Sequence, residues 1–292
     1  MTLLDFFTDP FALGFQQRAL LGGLLAGITC SVVGTWIVLR GMSFFGDAFV
    51  HGVIPGIALA VALDFSVLLG AAAAATIMVA GIEWVHRQAS FKEDTGIGLL
   101  FVGMLALGVL ILSRTESYAG SLTTILFGDV LGVSRPDLLV QGLLAAVVVP
   151  VSLLLYRPLL ALSFDSAKAE SLGMAPRATH LALLALIAAS VIGSYQAVGT
   201  MLVFGLLVGP PAMAALLARS VPGMMVLSLV IATVSVVGGL VISYHVGTAG
   251  SATMAVLPIV LFFLTLGVVS TRRAMLDRRL ARAATSPVSR AL

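Results

Sequence analysis

Asp47 and His51 stand four residues apart in the stretch Arg40-Gly-Met-Ser-Phe-Phe-Gly-Asp-Ala-Phe-Val-His-Gly-Val-Ile-Pro-Gly56. On a helix that spacing sets a carboxylate and an imidazole on one face. Together they offer the oxygen and nitrogen donors that zinc, and less selectively manganese, accept. Asp47 could equally relay a proton. A plainer role competes with both: Asp47 could cap a helix beginning at Ala48 and leave His51 as a hydrogen-bond partner. The surroundings raise the stakes. The stretch is apolar, and an ionisable side chain at the centre of a membrane helix costs about 3 kcal/mol or more, so it marks a functional site by default.

The other chemistry-bearing residues are fewer. His86, beside Trp84 and Arg87, and His180 both stand at span ends and read as interfacial. His245 follows Tyr244 at the end of an apolar run, before the glycine-rich segment 246–252. Asp64 lies between two apolar runs and reads as a solvated turn residue, and Asp129 as structural. Phe-Gly-Asp occurs twice, ending at Asp47 and Asp129, but intramembrane aspartyl proteases need a glycine where this chain has Phe44 and Leu126. There is no Gly-x-x-x-x-Gly-Lys-Ser/Thr phosphate loop and no His-Glu-x-x-His motif, so neither ATP hydrolysis nor zinc proteolysis is expected of this chain.

The elements that must position Asp47 and His51 are membrane helices. Of 292 residues, 60% are apolar and 10% charged, and the mean hydropathy is +1.13, against about 25% charged in a soluble domain. The chain reads as one membrane domain, 1–292. It is an all-α integral membrane protein with spans near 17–39, 46–63, 66–86, 95–113, 137–156, 179–196, 199–218, 224–243 and 252–271, so eight to nine transmembrane helices. The short apolar piece Ser121 to Val133 reads as re-entrant, which is allowed only where protein or water covers it. Met1 to Pro10 lacks a basic region, which argues against a cleaved signal. Cys30, alone in an apolar run, reads as packing.

Placing the N-terminus outside puts Arg40, Arg87, Lys92, Arg157, Lys168, Arg177, Arg219 and the tail 272–292 in the cytoplasm, and leaves only Arg18, Arg114 and Arg135 outside. The net charge of +3 therefore reads as membrane orientation, and no nucleic-acid partner is expected. The longest interior cytoplasmic segment, 157–177, holds a short helix capped by Ser163 or Asp165 and stopped at Gly173. It is either a surface connector or a docking element. Glycines at 22, 23, 27, 193, 199, 205, 209, 238 and 239 read as close helix packing. Pro55, Pro210, Pro211 and Pro258 read as kinks.

The stretch from Arg40 to Gly56 resembles the second-helix signature of bacterial ATP-binding-cassette permeases that import zinc or manganese. Three further segments agree in order: Leu126-Phe-Gly-Asp-Val-Leu-Gly-Val-Ser; Val198-Gly-Thr-Met-Leu-Val-Phe-Gly-Leu-Leu-Val-Gly-Pro-Pro-Ala-Met-Ala; and Ser243-Tyr-His-Val-Gly-Thr-Ala-Gly-Ser-Ala-Thr. The resemblance covers nearly the whole chain and is strongest to the zinc-importer permeases. It implies an ABC-importer permease bundle in the bacterial inner membrane, multi-pass, with a cytoplasmic C-terminus. It would work as a homodimer with two cytoplasmic ABC ATPase subunits and an extracytoplasmic metal-binding protein. No tightly bound cofactor is implied, since zinc or manganese is the cargo. The family's metal residues fall on Asp47, His51 and His245, and its coupling helix on Asp165 to Gly173, with Ala169, Glu170 and Gly173 in the ATPase groove. Many members carry Ser-Tyr-His-x-Asp where this chain has Gly247. Two imidazoles and one carboxylate then lean toward zinc. Asp47 starts from the cytoplasmic side and His245 lies toward the outside. They meet only if the helix bearing Asp47 begins deep in the bundle; otherwise they are separate stations. The competing reading is a proton-coupled secondary carrier that needs no ATPase.

Overall fold

Long apolar runs broken by short polar turns build helices here. In the computed structural model, which describes residues 6, 9–88, 93–113, 128 and 130–284, no strand occurs among those residues. A 3-10 turn at Asp9–Ala12 leads into α1 (Gly14–Leu39). The second span is two pieces, α2 (Ser43–Gly52) and α3 (Ile54–Ala62). They are followed by α4 (Val67–Gln88), α5 (Glu93–Leu112), a 3-10 turn (Val130–Gly132) and α6 (Arg135–Leu154). The short α7 (Tyr156–Phe164) and α8 (Ser166–Ser171) precede α9 (Pro176–Val198), α10 (Thr200–Leu217), α11 (Val221–Val246) and α12 (Gly250–Ala284). Among the described residues, eight spans are long and apolar enough to cross a bilayer, and α5 adds the shorter apolar stretch Gly96–Leu112.

The helix α1 is the central one. It packs against α6, α9, α10 and α11, and Cys30, Val33, Trp36 and Ile37 are fully enclosed there. Lipid is as apolar as leucine, so the hydrophobic effect does little to hold such helices together; close packing and hydrogen bonds must do so. Trp36 donates its Nε1 proton to Ser152 Oγ at 2.9 Å, Gln141 Nε2 donates to the Gly22 carbonyl at 3.0 Å, and Arg18 Nε donates to the Val133 carbonyl at 2.8 Å. All three tie α1 to α6 or to the turn before it.

The tightest helix crossings depend on glycines that sequence spacing did not single out. A Cβ on Gly34 would overlap the Leu207 carbonyl, so α1 and α10 meet backbone to backbone; Gly56 and Gly70 do the same for α3 and α4. Gly34→Val is expected to cost about 3 kcal/mol, the upper end for overpacking, read as a lower thermal midpoint in detergent. An unchanged midpoint would mean the two backbones do not meet there.

Successive spans alternate in direction, and their ends collect on two faces. One face gathers the start of α1, the turn at Val133, and Gly128 packed against Gly199 between α9 and α10. The opposite face gathers the end of α1, α7, α8 and the start of α9, where Arg40 Nη1 lies 3.1 Å from His180 Nδ1. His180, expected at an interface, is buried.

Of the expected re-entrant piece, only Gly128 and residues 130–133 are described, with a 3-10 turn and buried Val130 and Val133. Asp129, the rest of that piece and the loop 114–120 lie outside the described residues. At the other end, α12 is 35 residues long. That is about 52 Å, against a hydrocarbon core of about 30 Å. The basic tail expected to begin at 272 is helical as far as Ala284.

Candidate metal site and docking helix

The metal candidates sit on a helix bounded by a turn at each end. α1 stops at a left-handed glycine, Gly41 (φ +68°). The Gly41 amide donates to the Val38 carbonyl at 3.0 Å and the Met42 amide to the Ile37 carbonyl at 2.9 Å. This paired pattern closes a helix and lets the chain reverse at once. α2 then starts at Ser43, three residues before the expected start of the span, and Asp47 falls in its middle. The capping role at Ala48 is thereby removed. Gly46 faces Leu207 and Val208 midway along α10, so the carboxylate that follows it lies inside the bundle.

α2 ends one residue past His51. Pro55 is the reason: it has no amide proton to give the His51 carbonyl, the bond that would continue the helix. That carbonyl accepts instead from the Val53 amide. The second span is therefore discontinuous, and Asp47 and His51 occupy the last two turns of its first half. Helix C-terminal ends carry partial negative charge and favour cations, the arrangement by which broken helices in secondary transporters hold coupling ions.

Nε2 of His51 lies 3.4 Å from Oδ1 of Asp47, with the side chains 12% and 26% exposed respectively. Two donor atoms each about 2.1 Å from one ion at a tetrahedral angle are roughly 3.4 Å apart. The spacing suits a shared cation and is long for a strong hydrogen bond. Nδ1 of His51 is buried without a hydrogen-bond partner. One side of the ring is walled by Phe101 of α5, at 6.0 Å between centroids, and Phe101 in turn meets Phe44 edge-on. On the buried face of α2, Phe45 and Phe49 stack in the core. The helix is thus fixed by aromatic packing on one face and offers a half-open carboxylate–imidazole pair on the other.

His245 is elsewhere. It lies at the end of α11, where its ring stacks on Phe6 at 3.9 Å and 4°, its Nε2 is 2.9 Å from the Phe6 carbonyl, and Tyr244 meets it edge-on. Among the described residues no three His, Cys, Asp or Glu side chains gather to hold a metal. Within one chain, Asp47 and His51 come together and His245 does not join them. Gly247, where many members of the resembled family have aspartate, takes φ +71° and ends α11.

The segment expected on the cytoplasmic side builds as its residues direct. Asp165 caps α8, its carboxylate accepting from the Ala167 and Lys168 amides at 2.9 and 3.3 Å. Gly173 (φ +72°) closes the helix, with its amide bonded to the Glu170 carbonyl and the Met174 amide to the Ala169 carbonyl. Glu170 is exposed and Gly173 has open space around it, but Ala169 is buried against its own chain. The outward surface is completed by two residues the sequence reading passed over, Phe164 and Leu172, at 80% and 66% exposure. They flank a six-residue polar helix, Ser-Ala-Lys-Ala-Glu-Ser.

Residues 12–269 match the model of the ABC 3 transport family. The chain is 35% identical over 265 residues to a manganese transport system membrane protein of Halalkalibacterium halodurans, covering 90% of this chain and 91% of that one. It is 32% identical over 279 residues to a chelated iron transport system membrane protein of Yersinia pestis, covering 96% and 93%. Among solved structures, PsaBC from Streptococcus pneumoniae in complex with a Fab superposes with a TM-score of 0.80 at 30% identity, covering 90% of this chain and 95% of that one.

Proposed function

The chain belongs to the ABC 3 transport family, and from that membership we propose that it is the permease of an ATP-driven importer that carries a divalent transition metal inward through a homodimer. The observation that carries the proposal is the Asp47–His51 pair at the break of the second span, an oxygen and a nitrogen donor 3.4 Å apart and half open. The face bearing Phe6 and His245 is the outer one and receives metal from a binding protein; the face bearing α8 is cytoplasmic and docks the ATPases. Alternating access passes the ion between them. The permease itself is a transport component, and ATP hydrolysis belongs to the partner subunits.

Each chain supplies one carboxylate and one imidazole. A transport site must also let go, so its shell is finished by water and by the same pair of the second copy. The zinc preference rested on two imidazoles in one chain, and this geometry leaves His245 out. One imidazole beside one carboxylate suits manganese(II) or iron(II) as well as zinc, and similar chains are named for manganese and chelated-iron transport. We therefore place manganese(II) first and zinc second.

Proteoliposomes holding the permease with and without its ATPase, loaded with ATP on the cytoplasmic side and supplied outside with the metal-loaded binding protein, test this. Manganese(II) uptake is expected only with the ATPase and ATP, and in excess of zinc uptake. Equal uptake without ATPase, driven by a pH gradient, would instead establish the proton-coupled carrier. That alternative gives no role to the exposed Phe164 and Leu172 beside α8.

A further inference from the structure

His180 lies at the start of α9, the first span after the docking helix, and its ring is 7% exposed. Arg40 is the residue on which α1 ends, immediately before the turn that launches α2. Their side chains meet at 3.1 Å between Arg40 Nη1 and His180 Nδ1. A guanidinium only donates and stays protonated in proteins. The acceptor is therefore the Nδ1 lone pair of His180.

The position of this contact gives it meaning. α8 packs on α7 and on α9. From Gly173 the chain turns directly into α9, which begins at Pro176 and is secured in its first turn by Thr179, whose Oγ donates to the Ala175 carbonyl at 3.0 Å. A shift of α8 is thus handed to the first turn of α9, where His180 sits. On the other side, Arg40 is joined to Asp47 by the Gly41 turn and one turn of α2. The two spans that this bond connects are the one the docking helix moves and the one whose end sets the metal-bearing helix.

We infer that the Arg40–His180 hydrogen bond conveys motion of the docking helix to α2, and that His180 is a positioning residue for coupling ATP hydrolysis to metal movement. The inference rests on the importer reading above. Its consequence is a ratio rather than a rate. Without the bond, the ATPases still dock at α8 and still cycle, but fewer cycles move the metal-bearing helix.

The test uses the full permease–ATPase complex in proteoliposomes with manganese(II)-loaded binding protein outside, measuring ATP hydrolysed per ion imported. His180→Phe, which keeps a ring but removes the acceptor, should raise that ratio about tenfold, within the usual range of coupling between sites, with the ATPase still co-purifying. Arg40→Met should do the same, and the double variant should be no worse than either. His180→Asn, which retains an acceptor near the Nδ1 position, should stay within about twofold of the unaltered protein. A normal ratio in His180→Phe, or a loss in His180→Asn as large as in His180→Phe, overturns the inference. If His180→Phe does not assemble, Arg40→Met alone decides it in the same way. Absence of ATP-driven uptake by the unaltered complex would overturn the importer reading and this inference with it.

Discussion

His51→Ala is expected to reduce manganese(II) uptake about 100-fold or more while leaving the amount of ATPase bound to the permease unchanged. Loss of a residue that merely supports a metal ligand costs 10–100-fold in affinity or activity, and among the described residues His51 and Asp47 are a pair of donors with no third His, Cys, Asp or Glu beside them. The effect should arise at the metal rather than through the fold. His51 shares a helix with Phe45 and Phe49, which pack into the core, whereas its own ring meets Phe101 on the half-open side. Asp47→Asn keeps the volume and removes the charge, and should fall nearly as far. If both residues hold one ion, as proposed, the double variant should lose little beyond either single one, as groups acting as a unit do. Losses that simply multiply would show that Asp47 and His51 act on separate steps. Normal uptake by a well-expressed His51→Ala protein would remove the site altogether.

The second large effect is expected on the opposite face. Phe164→Asp combined with Leu172→Asp should release the ATPase and abolish ATP-driven uptake, with no change in the thermal midpoint of the permease. Both side chains are largely bare in the single chain, so the fold does not depend on them, yet bulky apolar groups beside a polar helix at a water-facing end mark a surface that something covers. Anchors of this kind are worth about 2 kcal/mol each at an interface, so losing two should weaken docking by about a thousandfold. Glu170→Ala, on the same surface but polar, should cost far less. If the aspartate variants retain the ATPase, these residues face lipid headgroups and docking lies elsewhere on the segment.

How far the sequence could be read varied with the physical range of each feature. Local features were legible. Asp165 caps and Gly173 closes α8 as their backbone preferences dictate, and Asp64 adopts a left-handed turn (φ +53°) between α3 and α4. The spans were legible as hydropathy, and Pro55 was read as a kink; that the helix stops at Gly52 and restarts at Ile54 was not. Asp47 was assigned a possible cap because its helix was taken to start too late; the Gly41 stop that moves the start to Ser43 depends on bonds back into α1. Contacts between distant segments left no trace. His180 was read as interfacial because nothing nearby in sequence announces Arg40. His245 was grouped with Asp47 and His51 through resemblance, whereas the folded chain stacks it on Phe6. The glycines at 34, 56 and 70 mark backbone crossings that only the partner helix reveals.

The ten-residue helix α2, with a glycine turn before it and a proline-imposed break after it, also constrains how cargo can be released. A short rod pivoting between two joints carries everything mounted on it as a fixed jig. The backbone spacing of Asp47 and His51 is set by one turn of helix and would not change as the rod tilts. Under the proposed alternating access, tilting this helix would not by itself pull the two donors apart. On the importer proposal, ejection would come from donors that do not ride on the rod: water, or the matching pair on a second copy tilting the opposite way. On this view the chain holds a constant half of a clasp, and the difference between loading and unloading lies wholly in what closes over it.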